Sequence, residues 1–407
     1  MSVQMPSLVA PKWPTLSVRP LRRLAARIFA LTAMAFLAAC DLPIPGAGGG
    51  TGQQIDPDAP VRVALLVPGG TDAAEANAIA ASLENAARLA ISDLNGVTVD
   101  LRVYNTARNA GQASQMAAAA VADGAQIILG PLDAASANAV GVTVAPANLN
   151  VLAFSNNPAI AGGNVFVLGN TFGNISDRIA DYASRQGIER YMIVHQDDLA
   201  GAVGRDAIAT SVRSSGGTIV GIESYAFSQA GIFERAPAIA AAANGAGAQG
   251  IFVTDNVAGG LPILATSLND QGVNPQTSPL LGITRWDAAP QAAALPGMQN
   301  GIFAMADAGR EAAFRNRYEA TYGQAPHPLA SIAYDGIAAI GALAATGDRN
   351  ALTAGSLTRA SGFAGATGIF RLRPDGSNQR ALAVARIVNN QIAIVEPAPL
   401  SFGRGGS

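Results

Sequence analysis

From residue 61 onward, short and almost wholly apolar runs alternate with alanine-rich stretches of helical period. Val61 to Val67, Val97 to Tyr104, Gln126 to Leu129 and Val151 to Phe154 read as strands. Between them, Asp72 to Asn95, the stretch around Ala113 to Ala122, and Asp133 to Val144 read as helices. Strands apolar on both faces belong to a parallel sheet covered by helices on either side, so this half is a βαβ repeat. A second series begins after Val165 to Leu168, with strands at Tyr191 to Val194, Thr218 to Ile222, Ile251 to Val253 and Leu280 to Gly282, and helices including Ile175 to Arg185 and Arg205 to Ser214. Ile302 to Met305 precedes two further helices, Glu311 to Tyr322 and Leu329 to Thr346. The end of the chain is β-rich: Gly368 to Leu372 and Ala381 to Val388 flank the turn signal Asp375-Gly376, and Gln391 to Val395 follows. The pattern predicts an α/β protein of two lobes with a β-rich tail.

The first sixty residues follow another pattern. Arg19, Arg22, Arg23 and Arg27 precede the apolar run Ile28 to Ala39, and Leu37-Ala38-Ala39-Cys40 closes it with the single cysteine of the chain. This order resembles a bacterial secretion signal ending in a lipoprotein box. The run is short for a membrane span. The resemblance implies cleavage before Cys40 (signal 1–39), acylation of Cys40, and a periplasmic protein held to a membrane by more than one acyl chain. Whether that membrane is the inner or the outer one stays open, although Asp41 is an inner-membrane retention signal in some bacteria. Residues 41 to 60, rich in Pro and Gly, read as a flexible tether with a root-mean-square span of about 25 Å.

Composition narrows the chemistry. Five of the 26 basic residues, Lys12 and the four arginines above, lie in the signal with no acid beside them, so 21 basic face 28 acidic residues after cleavage. That balance argues against nucleic acid as a partner. Lys12 is the sole lysine, which removes Schiff-base chemistry and a phosphate-loop lysine from the mature chain. With Cys40 committed to lipid, disulfides and thiolate metal sites drop out too. His195 and His327 lack metal-ligand spacing. Gly245 to Gly250 fits Gly-x-Gly-x-x-Gly but precedes a strand, the reverse of the dinucleotide order. The reading is of a protein that is not an enzyme and needs no cofactor or metal.

Three stretches carry a family likeness: Ala122 to Pro131, Val151 to Asn157, and Gly368-Ile369-Phe370-Arg371 through Asp375-Gly376 to Val388. Over 61 to about 396 the chain resembles the type I periplasmic binding proteins, the fold of the branched-chain amino-acid binding proteins. Leu280-Leu281-Gly282, Trp286-Asp287, Phe314 to Gly323 and Pro328 to Asp335 make it similar, within that fold, to the penicillin-binding-protein activator lipoproteins. The resemblance implies an α/β domain over 61–397 of two doubly wound, Rossmann-like lobes with a central cleft. Lobe one is expected at about 61–169 and 307–346, lobe two at about 170–306 and 347–397, with a tail at 398–407. The chain is expected to cross between lobes near Gly169 to Thr171, Ala306 to Gly309 and Ala345 to Asp348.

Open α/β sheets bind ligands beyond the carboxyl ends of their strands, so the candidate contacts are the loops there. In lobe one they are Gly70, Thr71, Ser136, Ser155 and Asn156; in lobe two, Asp255, Asn256, Arg285 and Trp286. Thr71 and Asp133 also read as N-caps, Ser136 and Ser155 serve ligand or structure equally, and Trp286 and Arg285 read equally as packing and surface residues. The amino-acid-binding relatives place an acid in the lobe-two loop to hold an ammonium, where this chain presents Thr284 or Arg285; a cation there would repel an ammonium and points to an anionic or larger ligand, or to none, unless Asp255 takes the acid's place. Two functions follow: a regulator that activates a penicillin-binding protein, a peptidoglycan synthase, by protein contact, and a substrate-binding lipoprotein that hands a small-molecule ligand to an ABC permease. The first is preferred on the narrower likeness. Against it, the long activators carry a helical-repeat domain where this chain has only the short tether.

Overall fold

A computed structural model describes residues 51–402. Cys40 and the signal lie outside the described residues. Lobe one is a five-stranded parallel sheet in the order β2-β1-β3-β4-β5, built from β1 (Val61–Val67), β2 (Val99–Asn105), β3 (Ile127–Leu129), β4 (Val151–Ala153) and β5 (Val165–Val167). Helices α1 (Ala74–Ser92), α2 (Ala110–Ala122) and α3 (Ala134–Val144) connect these strands. Strands β1, β3, β4 and β5 are buried almost throughout, as a sheet covered on both faces requires.

Lobe two holds a seven-stranded sheet in the order β15-β14-β10-β9-β8-β6-β7. Its parallel part is β6 (Arg190–Gln196), β7 (Thr218–Tyr225), β8 (Gly250–Val253), β9 (Leu280–Gly282) and β10 (Ile302–Met305). Around it lie α4 (Phe172–Arg185), α5 (Leu199–Ser214), α6 (Gln229–Gly245) and α7 (Leu261–Asp270). The chain then returns to lobe one through α8 (Ala308–Tyr322) and α9 (Ala330–Ala344), whose Phe314, Tyr318, Ile337 and Ile340 share a core with Leu65 and Leu83.

Two expectations are corrected here. The stretch after α9 stays on lobe one instead of passing to lobe two at Ala345 to Asp348. Leu352, Leu357 of the short α10 (Ala354–Leu357), Phe363 and Phe370 are buried in the lobe-one core. Phe363 and Phe370 belong to a small antiparallel sheet of β11 (Phe363–Gly365), β12 (Gly368–Leu372) and β13 (Asn378–Arg380). The turn at Asp375-Gly376 therefore joins β12 to β13. The crossing falls at Ala381-Leu382, after which β14 (Ala383–Val388) and β15 (Gln391–Glu396) add antiparallel strands to lobe two.

The second correction concerns the tether, whose last part is not free. Asn150 Nδ2 donates to the Thr51 carbonyl at 3.0 Å, Asn148 Nδ2 to that of Gly52 at 2.9 Å, and the Ile55 N–H to that of Arg349 at 2.8 Å. Ile55 is 2% exposed and packs into the lobe-one core. A lone isoleucine among glycines and polar residues carries no periodic signal, which is why composition hid this strap.

Candidate functional site

Between the lobes lies a cavity of about 420 Å³. Lobe one contributes Arg108 after β2, Leu132 and Asp133 after β3, Phe154 and Asn156 after β4, and Glu311, Leu329, Ser331 and Ile332 from α8, α9 and the turn between them. From lobe two come Arg285 after β9, Ala304 and Met305 of β10, and Leu382. Gly169, Asn170, Thr367 and Arg380 line it where the chain crosses. Apolar side chains share the wall with convergent polar and charged groups, a make-up that suits a small molecule with a polar head.

Three arginines reach this space in different electrostatic states. Arg285 donates through Nη1 to Glu311 Oε1 at 2.7 Å and through Nη2 to Glu311 Oε2 at 3.1 Å, while Nε donates to Asp287 Oδ1 at 3.2 Å. Hydrogen bonding to Asp287 and then to Glu311 outweighs burial and raises its pKa. Because Glu311 belongs to lobe one, this pair bridges the cleft. Arg380 is buried with Asp335, Nη1 donating to Oδ2 at 2.7 Å, and stacks over Phe370. The Ala366 N–H donates to the other carboxylate oxygen of Asp335 at 2.7 Å. Arg108, exposed and in left-handed backbone with φ 53°, pairs with no carboxylate among the described residues. The cation on the cavity wall that is free to meet a ligand is thus Arg108.

Asn156 and Arg285 are the two expected contacts that line the cavity. Asp255 is corrected: it is fully buried, its Oδ2 accepts from the Tyr225 hydroxyl at 2.7 Å, and its Oδ1 accepts from the N–H groups of Asn256 and Gly260. Burial first, then the bond to Asp255, pushes the Tyr225 pKa up. This carboxylate staples lobe-two loops and has no free oxygen for an ammonium. Asn256 lies beside it, accepting from the Ala258 N–H. Trp286 is also corrected, being 1% exposed and packed 5.5 Å from Phe303 in the lobe-two core. A Cβ on Gly282 or on Gly301 would stand 2.2 or 2.7 Å from the indole, so those two glycines open its slot.

Lobe one needs similar revision. Gly70 and Thr71 lie outside the cavity wall, the Gly70 N–H donating to Asn77 Oδ1 and the Thr71 hydroxyl accepting from the Ala73 N–H. Ala73, with no side-chain bond, is the N-cap of α1, so Thr71 braces the preceding turn and does not cap the helix. Asp133 does cap α3, accepting from the Ser136 N–H at 2.9 Å. Ser136 is fully buried, and the Ser155 hydroxyl accepts from the Asn157 N–H. Arg108, Glu311, Thr367 and Arg380 escaped the sequence reading. They sit on helices, hairpins or turns far apart in sequence, and only the third crossing at Ala381-Leu382 brings Arg380 to the cleft.

A family model described as periplasmic binding protein matches residues 60–391. The chain belongs to that family. No curated protein matches it. Among solved structures, the periplasmic ligand-binding protein of a branched-chain amino-acid ABC transporter from Burkholderia xenovorans superposes with a TM-score of 0.65 at 20% identity, covering 84% of this chain and 97% of that one. An ABC transporter substrate-binding protein from Sphaerobacter thermophilus gives 0.63 at 19%, covering 84% and 98%. One from Desulfitobacterium hafniense, in complex with Leu, gives 0.59 at 19%, covering 83% and 100%. At such identities the likeness shows the fold alone: a type I periplasmic-binding-protein architecture of two lobes. None of these relatives is described as an activator of penicillin-binding proteins. The residues behind that narrower likeness have packing roles here: Trp286 fills lobe two, and Phe314, Tyr318 and Tyr322 stack in lobe one.

Proposed function

We propose that this protein is the solute receptor of an ABC importer, taking a small organic anion into the interlobe cleft and presenting it to the permease. The observation that carries the reading is the cavity of about 420 Å³ in which Arg108, a guanidinium with no carboxylate partner among the described residues, stands near apolar side chains. An anionic head on Arg108 and an apolar body against Leu132, Phe154, Met305 and Ile332 match that distribution. Arg285 no longer argues against an ammonium in the ligand, because Asp287 and Glu311 balance its charge. Relatives described as ABC transporter substrate-binding proteins support the same reading.

Thermal unfolding against aliphatic and aromatic monocarboxylates, amino acids and neutral solutes tests it. A ligand at a hundred times its dissociation constant adds about 2.7 kcal/mol, which moves the midpoint by several degrees, and Arg108→Gln is expected to abolish the shift. A shift that survives Arg108→Gln would contradict this mode of binding.

Regulation of a peptidoglycan synthase by contact remains the second reading, favoured by one observation: Arg285 of lobe two pairs directly with Glu311 of lobe one. Membrane attachment through Cys40 belongs to either reading. Cys40→Ala is expected to release the protein from the membrane fraction with its fold intact, and persistent membrane association would overturn the anchor.

A further inference from the structure

A second cavity, of about 410 Å³, lies at the other end of lobe two, where the strands begin. Gln186, Gln249, Gln276, Thr277 and Asn300 line it just ahead of β6, β8, β9 and β10, and Arg386 reaches it from β14. It shares no lining residue with the cleft.

Arg386 is out of keeping with its strand. Ala385 and Ile387 point into one side of the lobe-two core, and Val384, on the same face as Arg386, is buried with Ile302 on the other. An apolar side chain would suit that position. Instead the Nε of Arg386 is buried and bonded to nothing, and no carboxylate among the described residues pairs with its guanidinium. A buried donor left unpaired costs stability.

The carbonyls at the helix ends that precede β6 and β8 already accept backbone N–H groups. Those of Ala183 and Ser184 accept from the Ile188 and Gly187 N–H groups, and those of Ala243 and Asn244 from Ala248 and Gly247. Gln249 spends its Oε1 on the Glu189 and Arg190 N–H groups, so only the amide NH₂ remains to the cavity. No acidic side chain lines the space. The wall therefore carries one positive charge and no negative one, among amide and hydroxyl groups.

We infer that this cavity is a second ligand site of lobe two and that it takes a small oxyanion, a carboxylate or a phosphate group, on Arg386. The planar guanidinium receives two oxygens at once, and the amides of Gln249 and Asn300 are placed to complete the shell.

The test is calorimetric titration of the full-length protein with inorganic phosphate and, separately, with acetate, at constant ionic strength against chloride. Saturable binding by the native protein is expected. Arg386→Met is expected to weaken it about tenfold or more and, because the unpaired donor is gone, to raise Tm in anion-free buffer. Arg386→Lys, which keeps the charge without the fork, is expected to fall between the two. Phosphate binding alone, or acetate binding alone, identifies which group the site takes. The same titrations are run on Arg108→Gln, in which the cleft has lost its free cation, so that binding at Arg386 is read apart from any anion taken in the cleft. Binding no stronger than chloride, or equal binding by Arg386→Met, would overturn the proposal.

Discussion

Single side chains decide most of what the cleft can do. Trp286 was an equal candidate for ligand contact and for packing, and the structure gives it to packing, because Gly282 and Gly301 leave an indole-sized slot beneath the sheet. Trp286→Ala is therefore expected to cost about 3–5 kcal/mol of stability, read by denaturant unfolding, with little change in ligand affinity per folded molecule. Three carboxylates are held below the usual range. Against desolvation, Asp93 is lowered by Arg317 and Tyr334, and Glu396 by Arg178 and Arg185; Asp375 is lowered by its bonds to Ser377. Their folded pKa values lie below the unfolded ones, so their contribution is present above the unfolded values and is lost as pH falls through the folded ones. Unfolding midpoints followed from about pH 5 to pH 3 should decline accordingly. Removing Arg317 should flatten part of that decline.

At the scale of elements, apolar runs and long helical periods were legible, and short polar segments were not. β1 runs over Val61–Val67 and β9 over Leu280–Gly282, as their apolar runs predict, and α3 and α8 begin within three residues of expectation. Strand β13 has three residues and a polar sequence, Asn-Gln-Arg, so nothing in its period separates it from a turn. It pairs only because β12 and the lobe-one core beneath it are already in place. The same physics hid Arg380, whose neighbours come from segments as remote as Leu168 and Asp335. The strap at residues 51 to 56 behaves likewise, its value lying in one buried side chain and several backbone bonds. Ile55→Ala is expected to destabilise lobe one by about 2–5 kcal/mol in equilibrium unfolding. A change below about 0.5 kcal/mol, the range of ordinary surface substitutions, would mean that the strap is not docked in solution.

For the whole molecule, the lobes meet through three chain crossings and the half-exposed Arg285–Glu311 pair across the cleft, while the Arg380–Asp335 pair is buried on the lobe-one side of it. The exposed pair is screened by salt, and the buried pair much less so. Glu311→Gln should therefore widen the ligand-free protein in X-ray scattering, and the native radius of gyration should approach that of the variant in about 0.5 M salt. Identical profiles would deny the pair any part in setting the lobes. The cleft's place was legible in the sequence because strand ends define it, whereas its charge state depended on partners from the opposite lobe. The most direct test of the account is native mass spectrometry of the full-length protein after exposure to a small-molecule extract of bacterial cells. The account predicts an adduct of one small organic anion, absent from Arg108→Gln. The bare protein mass in both samples, or the same adduct on both, would contradict it.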